Sequence, residues 1–473
     1  MFGDGYQTAL LTDNDVQPLA DAVLELLERV GLVCQNDELL RALEATGAKV
    51  DSEAQRATFP KSMARQFVER VRKEAADRSP EGDAGFPKLD RPTVTTQVAQ
   101  FAYDARTGQK RPGNRPDMIE LAKLGEMLHG ERGVGHALTL TDEPAAVEPL
   151  ETGLLLAEYC SKPEAPFAAD LRQVDYLIEM GEILGLENWY QLGAVCFAHP
   201  LRFAKTSADK FVRRMADGGK AAIVNMAVAG VSTPVTLEGF IVTTAAEFLA
   251  LWMTGRAMRP DVELGGSLWG GTADMRSGQV SFCAFDAMLY SFTVSEFLRR
   301  WTGELILVGG GEYCDATVPG LFATWEKAYK SMTIAAFSGY HPGPGYGMLE
   351  CGRTMCAAQL VLDGEFMAGL GHYARKVESK ADKIALETII DSCLTGQSLL
   401  DADHTATHFR NCLYLPALFN RTGYTGAGDD AAIVKKAQDK VDALIGEYRK
   451  PEIDPDKLAE MREVIERAEK QLV

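Results

Sequence analysis

The chain has 473 residues, 46% of them hydrophobic and 25% charged, and a formal net charge of −18. That composition belongs to a globular protein with a large core and excludes a disordered chain. The negative excess opposes broad attraction to phosphate backbones and anionic membranes, so no nucleic-acid or membrane partner is expected, while a cationic substrate is compatible with it.

Residues 1–12 carry neither a basic nor an apolar run of the kind a leader needs. No stretch approaches the roughly 20 apolar residues of a membrane span. Nine cysteines are scattered without CxxC pairs, as in a protein with reduced thiols, and a cytoplasmic location is expected. Leu19, Val23, Leu26, Leu27 and Val30 recur at helical spacing, and Gly31 stands where that helix would stop. Leu39, Leu40 and Leu43 repeat the pattern before Gly47. Residues 48–59 predict a short extended pair, 60–76 an amphipathic helix, and 77–92 a charged linker.

Beyond the linker the chain alternates. Strand-like runs at 136–140, 166–171, 190–197, 221–228, 262–265 and 305–308 are separated by helical patterns such as 149–160, 173–184 and 237–254. About eight such units over roughly 300 residues favour a closed barrel over an open sheet. No GxGxxG or Walker loop opens any unit. The expected fold is therefore α/β: a (β/α)8 TIM-type barrel over 91–430, preceded by an N-terminal helical region, 1–90, packed on it and followed by C-terminal helices, 431–473.

Active residues of a barrel lie where strands end. The loops there are rich in glycine and aromatic residues. Gly230-Val231-Ser232-Thr233-Pro234 follows 221–228, and Trp269-Gly270-Gly271 follows 262–265. Gly309-Gly310-Gly311-Glu312-Tyr313 follows 305–308, and the next loop holds Tyr340, His341 and Tyr346. Glycines admit a ligand close to the backbone, and ring faces attract a quaternary ammonium by about 0.5–2 kcal/mol each. The plainer reading is that these glycines turn corners and Trp269 belongs to the core.

Four blocks of the chain resemble the trimethylamine methyltransferase family. They are Gly230 to Ala250 (GVSTPVTLEGFIVTTAAEFLA); Gly345-Tyr346-Gly347-Met348-Leu349-Glu350-Cys351-Gly352 with Gln359-Leu360-Val361-Leu362-Asp363; His404 to Arg410 (HTATHFR) with Pro416 to Arg421; and Leu27 to Leu32 with Ala45 to Asp51. The resemblance implies methyl transfer from a methylated amine to a corrinoid carried by a separate protein, with no tightly bound cofactor on this chain. The founding trimethylamine enzymes carry pyrrolysine, which is absent here, so the chain looks like the branch acting on quaternary amines such as glycine betaine, proline betaine or carnitine. Family practice also implies a homo-oligomer.

Within that resemblance, His341 is the candidate for contacting substrate or setting local polarity, and Glu312 is the second candidate catalytic side chain. Trp269, Tyr313, Tyr340, Tyr346 and, more remotely, Tyr103 are candidate cage residues, with Asn225 as a hydrogen-bonding partner. A zwitterionic substrate also needs a cation for its carboxylate, and Arg202 and Arg172 are the candidates, each equally readable as a surface or ion-pair residue. No metal site is expected; Cys351 and Cys356 read as buried thiols. His404 and His408 read as structural, together with Arg410. Two other readings stand beside this one: a TIM-barrel hydrolase or lyase, disfavoured by the lack of HxH and HExxH pairs, and a binding subunit without turnover.

Overall fold

The computed structural model describes residues 9–78, 93–198, 200–309, 313–338, 345–372, 377–419 and 430–473. Helix α1 (Asp13–Arg29) is followed by strand β1 (Leu32–Cys34), α2 (Asp37–Ala45), the hairpin β2 (Lys49–Asp51) and β3 (Arg56–Thr58), and α3 (Lys61–Asp77). The extended pair and the three helices match the sequence pattern. Gly31, at φ +65°, makes the turn between α1 and β1, and a Cβ there would lie 2.0 Å from the Ala57 carbonyl oxygen. From residue 79 the expected linker lies outside the described residues.

Next come the hairpin β4 (Phe101–Asp104) and β5 (Gln109–Pro112), then α4 (Arg115–His129), α5 (Glu148–Tyr159) and α6 (Val174–Leu184). Asn114 caps α4, accepting from the Asp117 amide at 3.1 Å while Asp117 accepts from its own. They are followed by β6 (Arg202–Phe203), α7 (Lys205–Ala216), β7 (Ala221–Asn225), β8 (Val228–Ala229) and α8 (Leu237–Met258). Strands β9 (Leu264–Leu268), β10 (Gly271–Ala273) and β11 (Val280–Ser281) lead into α9 (Phe285–Thr302). Then come β12 (Leu307–Val308), α10 (Leu321–Ser338), β13 (Met348–Leu349), β14 (Thr354–Met355) and α11 (Ala357–Gly371).

Among the described residues the strands form four small sheets, ordered β2-β3-β1-β6, β11-β10-β8, β12-β9-β7 and β13-β14-β4-β5. Between consecutive strand–helix units the pairing is parallel: β7 with β9, β9 with β12, and β14 with β4. The runs 136–140, 166–171 and 190–197 are not full strands. They contribute single parallel bridges, Ala99 to Leu138 and Phe167 to Gln191, with another just outside them from Val134 to Pro163, and the Val224 amide donates to the Val195 carbonyl at 2.9 Å. The result is a mixed α/β fold with parallel pairing. The N-terminal region is not purely helical, since β1 adds itself in parallel to β6 at Val33 and Arg202.

Helix α8 corrects one expectation. Its 22 residues are long and apolar enough to cross a membrane by length and hydropathy, yet 72% of its apolar 18-residue stretch is buried inside the fold. In its middle Glu247 is fully buried and accepts from the Leu201 amide at 2.8 Å and from Asn225 Nδ2 at 2.7 Å. It is a core helix.

After α11 come α12 (Ala381–Ile384), α13 (Leu386–Thr395) and α14 (Asp403–Cys412). Helix α15 (Asp430–Glu447) sends Ala437 and Val441 into the core with Leu121 and Val361, and α16 (Pro455–Leu472) packs Met461, Val464 and Ile465 against Leu177 and Trp189. Helices α12 to α14 do the opposite: from 377 to 417 none of the residues is buried.

Candidate active site

Strand β9 ends at Leu268, and the next residue, Trp269, is tied to the end of β7 by its amide donating to the Asn225 carbonyl at 2.8 Å. Its ring meets Tyr313 edge-on, centroids 5.1 Å apart at 60°, and Phe282 lies 5.1 Å from Tyr313 on another side. Three aromatic rings from the segments after β9, β11 and β12 are thus contiguous, and all three residues are half-buried. The indole Nε1 of Trp269 is shielded from solvent without a hydrogen-bond partner among the described residues. Gly309 makes this packing possible: a Cβ there would lie 1.9 Å from that nitrogen.

The segments that carry the rings are held from α10. Lys330, buried, donates to the Phe282 carbonyl at 2.8 Å and to the Tyr313 carbonyl at 3.2 Å. Glu326, also buried, accepts from the amides of Asp315 at 2.9 Å and Ala316 at 3.0 Å. The other Glu326 oxygen accepts from the Cys283 thiol at 3.3 Å, and burial raises the carboxyl above its ordinary range. Asp315 takes the Ser281 hydroxyl and, at 3.7 Å, the Cys351 thiol. Burial, then the Asp315 carboxylate, pushes the Cys351 thiol up to about 12. Burial also pushes up Cys283, with Asp315 and Glu326 adding to the effect, and Cys356 to about 12.

Cys283, Asp315 and Glu326 bring their donor atoms within 4.8 Å of one another, a grouping that would suit a metal ion by distance. Each is already engaged in the hydrogen bonds above, so the group is built as a brace for the 313–316 loop. The sequence reading missed this brace. Its signal was present in α10, where Glu326, Lys327 and Lys330 interrupt an otherwise Ala- and aromatic-rich run, a pattern that reads as a solvated face but is buried here.

The same helix anchors the glycine loop before β13. Lys327 and Asp363 are fully buried and meet at 2.6 Å. Lys327 also donates to the Gly345 carbonyl at 2.9 Å, Asp363 accepts from the Gly347 amide at 2.8 Å, and Gln359 donates to Asp363 at 2.7 Å. The Gln359 and Asp363 of the third sequence block are therefore a fastening for this loop.

The other predicted residues fall in different places. His341, Glu312 and Tyr340 lie outside the described residues. Tyr346 is buried in the apolar core. Asn225 is fully buried, donating to Glu247 and accepting from the Ala227 amide at 3.0 Å, so it fixes the end of β7. Tyr103 lines a cleft of about 590 Å³ with Arg106, Pro319 and Gln438, whose lining includes none of the three rings. Arg172 is exposed and closes on Asp170 at 2.8 Å, with which it forms a local pair two residues apart. Arg202 is exposed on β6, beside β1. Neither arginine touches the ring cluster. His404, His408 and Arg410 stand on α14 in the uncovered segment rather than behind the site, and the Arg410 guanidinium lies over the neighbouring Phe409 ring.

The profile of the trimethylamine methyltransferase (MTTB) family matches residues 4–473. The chain belongs to this family. It is similar to a glycine betaine methyltransferase of Desulfitobacterium hafniense (strain Y51), 22% identical over 94% of each chain. It is also similar to a trimethylamine methyltransferase of Methanosarcina acetivorans, 29% identical over 58% of this chain and 55% of that one. The crystal structure of the Methanosarcina barkeri monomethylamine methyltransferase aligns with a TM-score of 0.45 at 12% identity, over 97% of this chain and 93% of that chain. As a member of the trimethylamine methyltransferase family, the chain is a methyltransferase.

Proposed function

We propose that this methyltransferase takes a methyl group from a small quaternary amine, glycine betaine or a related betaine or carnitine, and delivers it to Co(I) of a cognate corrinoid protein. The observation that carries this reading is the Trp269–Tyr313–Phe282 ring cluster at strand ends in a member of this family. A quaternary ammonium has no N–H to donate, so ring faces suffice to bind it, and an ion-pairing carboxylate is unnecessary. On transfer the C–N bond breaks with its electron pair remaining on nitrogen, and the amine leaves neutral without needing a proton. The chain's own tasks are to bind, to orient and to exclude water. Lys330 and Glu326 serve them by fixing the ring-bearing segments.

The corrinoid, when its carrier is docked, supplies the nucleophile for the methyl carbon. Exposed apolar side chains offer such a carrier a surface: Val231, Val235, Met275, Phe285, Phe322 and Trp325 are more than half exposed, in loops and early helical turns. His341 and Glu312 are retained as candidate catalytic residues. The small sheets and parallel bridges are read as parts of one eight-stranded barrel, in which the rings occupy the C-terminal face. The experiment is methyl transfer from a panel of betaines, carnitine and tetraalkylammonium ions to a reduced corrinoid protein, followed by its absorption spectrum. Transfer from none of them overturns the reading.

A further inference from the structure

Ring faces attract a methylated cation, but they also accept an uncharged methyl coat by burial alone. A negative charge near the rings is what would tell a quaternary ammonium from its neutral carbon counterpart, and the structure holds one. Asp315 lies two residues after Tyr313. One of its carboxylate oxygens takes the hydroxyl of Ser281, the residue before Phe282, and the other takes the thiol of Cys351 at 3.7 Å. Cys351 precedes Gly352, where a Cβ would stand 3.6 Å from the Tyr313 ring. The carboxylate is thus fixed where three segments meet; two of them carry rings and the third touches one. The Asp315 amide is held as well, by Glu326 at 2.9 Å. Its side-chain partners among the described residues are a hydroxyl and a thiol, neutral groups that leave the charge in place. Asp315 is also only partly buried, whereas Glu326 and Cys283 beside it are buried and burial raises the Glu326 carboxyl.

We propose that Asp315 is the counter-charge of the ring site, the residue that makes it select a cation over an uncharged ligand of the same shape. The inference rests on the proposed function, in which the rings bind the substrate. Contact with the ammonium is not needed, because a carboxylate beside the rings attracts a cation through protein material of low dielectric. It repels an anion in the same way. Lys330, at the carbonyls of Phe282 and Tyr313, opposes this field and limits the effect to about tenfold in affinity. The brace that holds the ring-bearing segments therefore has a second task, since the group it fastens most firmly between them is the one that sets the sign of the ligand.

The test uses the full-length protein, needs no turnover and compares two ligands of one shape. Glycine betaine and tert-butylacetate carry the same methyl groups and the same carboxylate; they differ in nitrogen against carbon, and so in one positive charge. By calorimetry, Asp315→Asn is expected to weaken glycine betaine about tenfold while tert-butylacetate binds no more weakly than before. Asp315→Glu keeps the charge and is expected to retain most of the preference. Asp315→Ser supplies a second neutral variant, and circular dichroism checks that each one folds. A merely structural role acts through the position of the rings and would weaken both ligands together. Equal losses for the two ligands, or a preference unchanged in a folded neutral variant, would overturn the inference and leave the proposed function standing. A wild type that binds neither glycine betaine nor tetramethylammonium would overturn both.

Discussion

Lys327 and Asp363 lie on neighbouring helices, fully buried, with 2.6 Å between their charged atoms, and each reaches past the other to hold one end of the Gly345–Gly347 turn. A buried pair of this kind contributes little compared with a well-packed apolar pair, but losing one partner strands a charge. Lys327→Met or Asp363→Leu is expected to cost about 3–5 kcal/mol, and the double substitution much less. Urea unfolding at neutral pH measures both. Single variants as stable as the wild type would contradict this role.

The ring cluster predicts a selective loss of affinity. Trp269→Ala removes one face and is expected to weaken glycine betaine binding about 2- to 30-fold by calorimetry, with Trp269→Phe retaining part of it. The fold is expected to survive, since Trp269 is only partly buried, at the end of a strand. Unchanged affinity would take Trp269 out of the site.

Gly309→Ala tests the same ring from its other edge. The added methyl carbon would lie 1.9 Å from the indole nitrogen, so the ring must move. Overpacking is expected to cost about 1–3 kcal/mol in thermal or urea unfolding and to lower affinity in parallel. Stability and binding both at wild-type levels would refute the contact.

Acid should expose the role of Glu350, in the turn between β13 and β14. Burial raises its carboxyl, but hydrogen bonds from Lys110 and Thr354 outweigh that and hold it below the ordinary carboxylate range. A carboxyl lowered in the folded state contributes stability above its unfolded value, and that contribution disappears as pH falls through its folded value. Wild type is therefore expected to exceed Glu350→Gln by about 1 kcal/mol near pH 7. The gap should close below about pH 4. A gap independent of pH would show that Glu350 acts by shape alone.

Arg172→Ala and Arg202→Ala are each expected to leave substrate affinity within about twofold, as surface substitutions usually do. Arg172 is engaged locally with Asp170, and Arg202 is exposed beside β1. A large loss in either would place a carboxylate contact there after all.

Much of the fold was legible because α1 has strong apolar periodicity and a glycine stop, α5 and α8 are long apolar stretches, and β7 is a short apolar run between helices. The runs near His136 and Pro166 looked the same from the sequence, yet they meet their neighbours only at single bridges. Pairing is a property of two segments, and periodicity reports on one. The site divided along similar lines. Trp269 and Tyr313 could be found because strand ends are a general location, and their ring chemistry is explicit. Lys330 and Glu326 could not, because a charged residue on a helix normally faces water, and only the tertiary fold brings the carbonyls of Phe282 and Tyr313 to one ammonium. The arginines were chosen for their chemistry, which is sound, but sequence distance gave no means of placing them.

The thiols around the rings carry one more implication. On the proposed function, a methyl group bound at the rings is meant for cobalt, and a thiolate beside it would be a competing nucleophile. At neutral pH a thiol near 12 is ionised in only about one molecule in 10⁵, against a few per cent for an ordinary one. By placing Cys351 and Cys283 as donors to the carboxylates of Asp315 and Glu326, the fold favours the protonated form of two thiols on the segments that carry the rings. If the proposed methyl transfer takes place at the rings, the brace also limits competition for the methyl group.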